Sequence, residues 1–285
     1  YVLNWGSGLP SGENSCLYKR LQIAPADLLV ALNPGARYFA EIHYITSDEA
    51  PADRLNNASY REMRPSGGAT TNFGCTEAGV GLSFVAPTVP MQPAIMAWKT
   101  VDDSVILRAI DIPGDGRFWL AAKVWEAPAG VWNYEYALYN HNSRRGASSF
   151  SITKPRRFAV NDIGFHGVRY HSGEAYDQTP WTNEDRGTEL AWTAATRSIV
   201  ANTNALRWST TYNFRFTSAR APDPAGSASI TLFQAGEPGD PGVISVPGVP
   251  VPIVPTTPPP CPVDFDADGV KTPSDIFACL HAHFA

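Results

Sequence analysis

Long apolar runs are missing from this chain, and so are runs of basic charge. No stretch approaches the roughly 18 uninterrupted apolar residues that a membrane-spanning helix requires. Charged residues make up only 17% of the sequence, below the roughly 25% of an ordinary soluble domain. Lys and Arg number 22 against 27 Asp and Glu, for a net charge of −5. That balance excludes a polybasic protein that binds nucleic acid or an anionic membrane surface. The local signatures of common enzymes are also lacking: there is no Gly-x-Ser-x-Gly elbow, no phosphate-binding glycine loop and no His-Glu-x-x-His. The expectation is a protein that is not an enzyme.

What is present suffices for a substantial core. The chain has 285 residues, 44% apolar and 11% aromatic, enough for about two domains. It starts at Tyr1 without a Met or a charged-then-apolar leader, which reads as a processed, mature form. The four cysteines, Cys16, Cys75, Cys261 and Cys279, lack the Cys-x-x-Cys spacing of a zinc site and point to disulfides formed outside the cytoplasm. Four cysteines allow three pairings; proximity favours Cys16 with Cys75 and Cys261 with Cys279. Asn57-Ala58-Ser59 is a glycosylation sequon.

Glycine (23) and proline (25) interrupt short runs of alternating polarity, the pattern of an all-β protein. Tyr38, Ala40, Ile42 and Tyr44 fall on one face of a strand, with Phe39, Glu41, His43 and Ile45 on the other. Phe118, Leu120, Ala122 and Val124 form the next stripe. Glu126 to Gly130 then lead to Trp132, Tyr134, Tyr136 and Leu138, as in a hairpin. Further strands are expected over Val105–Ile110, Ser149–Thr153, Phe158–Phe165, Ala205–Trp208, Tyr212–Phe216 and Ser229–Phe233, and a short helix over Pro25–Ala31. The expected fold has two β-sandwich units, Ig-like or jelly-roll-like, over residues 1–155 and 156–235. Nine prolines in residues 236–260 predict a stiff, extended linker, although its valines and isoleucines could line a hydrophobic groove instead.

Residues 261–285 carry the sharpest motif. From Asp264, acids stand at loop positions 1, 3, 5 and 12 as Asp264, Asp266, Asp268 and Asp275, with Gly269 at 6 and the Val270 carbonyl at 7. Such spacing gathers oxygens around Ca2+ from one tight loop. Thr272 then caps a helix that starts at Pro273, with Ile276, Phe277, Leu280 and Phe284 as its apolar face. The segment resembles half of a type I dockerin, and more particularly the single, cysteine-flanked dockerin-like endings of many secreted planctomycete proteins. The resemblance implies a Ca2+-binding structural or anchoring tail. The body is similar to uncharacterised secreted proteins of the same group, through Leu32–Phe39, Trp132–Asn140, Gly164–Glu174 and Asn204–Phe216. That likeness implies β-sandwich modules outside the cytoplasm, and brings no activity with it.

Two side-chain groups invite chemistry. His166, His171, Glu174 and Asp177, followed by Glu184, Asp185 and Arg186, could hold a metal or exchange protons. A glycine-rich connection of this kind more commonly spends such side chains on its own backbone. Trp119, Trp125, Trp132, Trp181 and Trp192 could build a sugar-stacking platform or fill a sandwich core. Finally, Tyr1-Val2-Leu3-Asn4-Trp5 is an apolar, β-prone segment followed by a Gly/Ser/Pro hinge over residues 6–12. Such a strand pairs within its own sheet or is donated to the open edge of another subunit, in a manner similar in logic to donor-strand exchange in bacterial pilins. The expectation is an extracellular or cell-surface structural protein that forms homo-oligomers or a filament. The alternative is a carbohydrate-binding or adhesion module on a dockerin-like anchor, with a glycan or cell-surface partner.

Overall fold

The computed structural model describes residues 23, 25–46, 54–70, 79–156, 158–168, 176–196 and 202–253, together with 273, 275 and 277. A short helix, α1 (Pro25–Leu28), precedes β1 (Tyr38–His43), β2 (Ala58–Thr70) and β3 (Gly79–Phe84). After α2 (Met96–Val101) come β4 (Ile106–Asp111), β5 (Arg117–Ala127), β6 (Val131–Asn140), β7 (Ala147–Thr153) and β8 (Asn161–His166). They are followed by β9 (Thr182–Asp185), β10 (Glu189–Thr193), β11 (Thr210–Ser218), β12 (Pro222–Asp223), β13 (Ser227–Leu232), β14 (Val243–Pro247) and β15 (Val251–Pro252). The protein is all-β, with antiparallel pairing throughout.

Two five-stranded sheets, ordered β14-β13-β7-β10-β9 and β4-β5-β6-β11-β8, enclose a shared core. The expected stripes of the β5–β6 hairpin supply its centre: Phe118, Leu120, Tyr134, Tyr136 and Leu138 are all buried. From the facing sheet come Phe150, Ile152, Leu190, Trp192 and Ile230. Phe150 stacks on Phe214 across the gap at 4.6 Å between centroids, and Tyr134 stacks on its cross-strand partner Phe216 within one sheet, also at 4.6 Å. The hairpin turn is tighter than expected, because the strands extend to Ala127 and Val131. Ala129 and Gly130 take left-handed φ values of 67° and 72° to close it.

Three expectations are corrected here. The boundary at 155/156 does not separate two sandwiches: β7 pairs with β13 and β10, and β6 with β11, so strands from both sides of it share one core. Residues 243–252 are not a linker, because β14 extends the sheet beside β13 and Val246, Val249 and Val251 are buried. An edge strand tolerates Pro247, whose missing N–H faces no ladder partner outward. Tyr136 fastens the segment by donating its hydroxyl to the Pro250 carbonyl at 2.7 Å inside the core. Of the two readings open for the five tryptophans, a common platform is not formed. Trp181 and Trp192 lie in the core, Trp132 packs against it, Trp119 sits on the opposite sheet face, and Trp125 is exposed. Ala205–Trp208 makes only an isolated bridge, between Leu206 and Ala147.

The sheet β4-β5-β6-β11-β8 is covered on its outer face by a further layer. Ala121, Ala137 and Tyr139 point outward there and pack with Val105 and with Ile95 and Trp98 beside and within α2. The small sheet β1-β2-β3 joins this layer, tied by a bridge between Tyr60 and Val89.

Candidate functional site

Among the described residues strand β1 is an edge strand, paired only with β2. Tyr44 N–H donates to the Asn57 carbonyl at 2.9 Å, and the register opposes Ile42 to Ser59 and Ala40 to Arg61. By the alternation of an antiparallel ladder, the N–H and C=O groups of Phe39, Glu41 and His43 therefore project from the free edge.

The two faces of β1 are reversed in polarity. Its polar side chains point inward. The Tyr139 hydroxyl donates to one carboxylate oxygen of Glu41, and the other oxygen accepts the Ala94 N–H at 2.6 Å. Burial first, and the Glu41 carboxylate second, push the Tyr139 phenol far above its usual range, so it remains a donor. His43 is held on both sides: Nε2 lies 2.9 Å from Oδ1 of Asn57 and Nδ1 lies 2.8 Å from Oγ of Ser209. Asn57 Oδ1 accepts, so Nε2 carries a proton, and Nδ1 shares its hydrogen bond with the Ser209 hydroxyl. Ser209 has a left-handed φ of 50° and spends its own N–H on the Asn140 carbonyl at 2.8 Å.

Behind His43 lies His141, fully buried, with ring centroids 5.0 Å apart in an edge-on arrangement. Neither ring nitrogen of His141 has a hydrogen bond of normal geometry. Burial, then the neighbouring His43 and Arg117, lower its pKa to about 4, with the Arg54 carbonyl acting in the opposite direction. The imidazole is thus neutral at pH 7. Together these contacts clasp the small sheet onto the sandwich through polar groups.

On the opposite face and in the continuation of β1, apolar side chains face solvent, while Phe39 stays half-buried, edge-on to Tyr60 at 5.9 Å. Ile42 is 73% exposed, Tyr44 70% and Ile45 56%. Phe84, on the outer face of β3, adds to the same side with only Arg61 stacked over it at 4.3 Å. An edge with open backbone groups beside uncovered apolar side chains is chemically suited to accept another strand.

Of the residues singled out in the sequence, Asn57 lies in this clasp, half-buried, with its carbonyl oxygen engaged by His43. Tyr1, Val2, Leu3, Asn4, Trp5, the four cysteines, Asp264, Asp266, Asp268 and Val270 lie outside the described residues. Asp275 is helical and buried, and Phe277, assigned to the apolar face of that helix, is 71% exposed. The polar cluster is dispersed. His166 ends β8 and is exposed, and Asp177 caps its own turn by accepting from Thr179 N–H and Oγ. Asp185 pairs at 2.9 Å with Lys154, whose buried ammonium also donates to the Phe158 and Gly187 carbonyls. Arg186 bridges Glu184 and Glu189. His171 and Glu174 lie outside the described residues. Among the described residues no three metal-ligating side chains converge, and no helix is long and apolar enough to cross a membrane.

No motif announces this clasp. Glu41, His43, Asn57, Tyr139, His141 and Ser209 come from four separate stretches of chain, and only folding joins them. No protein-family model matches the chain, and no curated protein matches it.

Proposed function

We propose that this protein is a non-catalytic structural subunit of the cell exterior that assembles with further copies by strand addition. Segment Tyr1–Trp5 of one copy lies along the free edge of β1 in the next. Because donor and acceptor are different surfaces, such contacts do not close on themselves and build a fibre or surface layer. The observation that carries this reading is the reversed polarity of β1, with Glu41 and His43 clasped inward and Ile42 and Tyr44 left in solvent. Alternation in the donated strand places Tyr1, Leu3 and Trp5 on one face, where they cover Ile42 and Tyr44. The Ser209–His43–Asn57 chain serves as a clasp in this reading, since the serine amide is already committed to Asn140. The sandwich is of an Ig-like or jelly-roll-like kind, stabilised by disulfides, and ends in a dockerin-like Ca2+ loop and helix that anchors it.

Analytical ultracentrifugation and negative-stain electron microscopy of the full chain test the proposal. The unmodified protein is expected to polymerise, whereas deletion of residues 1–5, or Ile42→Lys together with Tyr44→Lys, leaves a folded monomer. A strictly monomeric unmodified protein, or polymers unaffected by either change, would overturn it.

A further inference from the structure

A cleft of about 410 Å3 opens at the end of the sandwich where Asn204–Trp208 lead into β11. Its walls are held rigidly. The Trp181 indole N–H donates to the Asn204 carbonyl at 2.5 Å, the Tyr212 hydroxyl donates to Asn204 Oδ1 at 2.5 Å, and Asn204 Nδ2 donates to the Thr179 carbonyl at 3.0 Å. Arg207 forms one side, its guanidinium 3.6 Å over the Tyr176 ring and 5.4 Å from that of Phe233. Its Nη1 donates to the Thr203 and Ala205 carbonyls. One guanidinium nitrogen of Arg207 is thus engaged by backbone, and its plane lies on Tyr176.

Two kinds of group remain open in this cleft. Trp208 and Tyr176 are 40% and 37% exposed. Near them, the side-chain amides of Gln178 and Gln234 make no hydrogen bond among the described residues, nor does the Trp208 indole N–H. Asp177 keeps one carboxylate oxygen after its turn is satisfied. Flat aromatic faces beside unengaged planar hydrogen-bonding groups match a sugar ring, whose C–H face is apolar and whose rim carries hydroxyls. A purely apolar ligand would leave those amides unpaired at a cost. An anionic ligand would meet the free carboxylate oxygen of Asp177, with Arg144 and Arg207 as the opposing charges among the lining residues. A peptide strand finds no ladder to extend, because Leu206 and Ala147 exchange both of their backbone bonds with each other.

We infer that this cleft binds a neutral carbohydrate chain, with a pyranose face on Trp208 and ring hydroxyls on Gln178, Gln234 and Asp177. This goes beyond the assembly proposed above and uses a different surface of the molecule. It also differs from the tryptophan platform that the sequence left open as an alternative to core packing, since Trp208 was not among those five.

Affinity electrophoresis of the full chain through gels containing soluble β-glucan, xylan, mannan or hydroxyethyl chitin tests the inference. At least one of these neutral polymers should retard the protein, and Trp208→Ala should weaken that retardation by about tenfold or more. Gln178→Ala is expected to weaken it less, and Trp125→Ala, a change on a different exposed surface, should leave it unchanged. Trp208 is exposed, so far-ultraviolet circular dichroism of Trp208→Ala should match the parent. Retardation by none of the four polymers, or equal retardation of the parent and Trp208→Ala, would overturn it. So would stronger retention by polyanionic alginate, or selective binding of an arrayed peptide library. The Ile42→Lys, Tyr44→Lys variant should still bind, which separates this site from the assembly edge.

Discussion

Tyr139 of β6 and Glu41 of β1 share a hydrogen bond across the boundary between the sandwich and the small sheet that covers it. The phenol is kept protonated by burial, and the carboxylate is fixed from behind by the Ala94 amide. Replacing Tyr139 by Phe leaves one half-buried carboxylate oxygen without its donor. We expect a loss of about 1–3 kcal/mol in urea unfolding, with the denaturant slope unchanged. An unchanged midpoint would mean that the clasp contributes nothing to holding the small sheet.

Buried His141 gives stability a dependence on pH. Its pKa is lowered from 6.5 to about 4 in the folded protein, so the unfolded chain binds more protons between those values. Stability is therefore full above pH 6.5 and is lost as pH falls toward 4, by up to about 3 kcal/mol. Glu135 works in the opposite sense. Burial raises its pKa from 4.5 to about 7 against the pull of Arg215, so its contribution is present below pH 4.5 and is lost as pH rises through 7. Because the two windows overlap with opposite sign, urea midpoints of the parent should change little between about pH 4.5 and 6.5. In His141→Leu they should fall as pH rises through this range, and in Glu135→Gln they should rise. Profiles unchanged from the parent in both variants would refute both assignments.

Residues 243–252 should be indispensable to the core. A chain cut after residue 235 uncovers the surfaces that Val246, Val249 and Val251 fill, and leaves the Tyr136 hydroxyl without the Pro250 carbonyl. At about 1.5–3 kcal/mol for each large apolar side chain, the sum rivals the roughly 5–15 kcal/mol by which a domain is stable. We expect that chain to be unfolded by circular dichroism, while a chain ending at residue 253 folds. Tyr136→Phe alone should cost about 1–3 kcal/mol. Equal stability of the two truncated chains would restore the linker reading.

The dockerin-like loop should bind Ca2+ through Asp264, Asp266, Asp268 and Asp275, with the Val270 carbonyl completing the set. Isothermal titration of the full chain with CaCl2 should give a one-site curve that is abolished or strongly weakened by Asp264→Ala and Asp268→Ala. An identical curve in those variants would remove the loop from consideration.

Much of the sandwich was legible in advance because its central strands alternate cleanly. Phe118, Leu120, Tyr134, Tyr136 and Leu138 announce their buried face by period two. Strand β14 was hidden by Pro247 and by the prolines after it, a composition that suits a spacer as well as an edge strand. Strand β2 was hidden by its polar residues, by Pro65 and by Gly67 and Gly68. For β1 the alternation was visible and its orientation was not. Hydropathy would bury Ile42 and Tyr44, whereas polar contacts to Tyr139, Ser209 and Ala94 fix the other face inward. Partners 53 to 166 residues away cannot be read from a local pattern. The cleft at Trp208 was concealed for the same reason, since Tyr176, Gln178 and Gln234 reach it from separate loops.

The placement of β14 and β15 sets how this protein would respond to tension. A pull transmitted through residue 253 first meets the Ile253–Ala221 bond and the short pairing of Val251 with Asp223. It next meets the Pro250 anchor on Tyr136, and then β14, which among the described residues is paired only with β13. Antiparallel rungs loaded from the Pro247 end break in succession rather than all together. The molecule would thus release its final strand as slack at modest force. The β5–β6–β11 centre, held by neighbours on both sides, would keep its shape while β14 acts as a mechanical fuse.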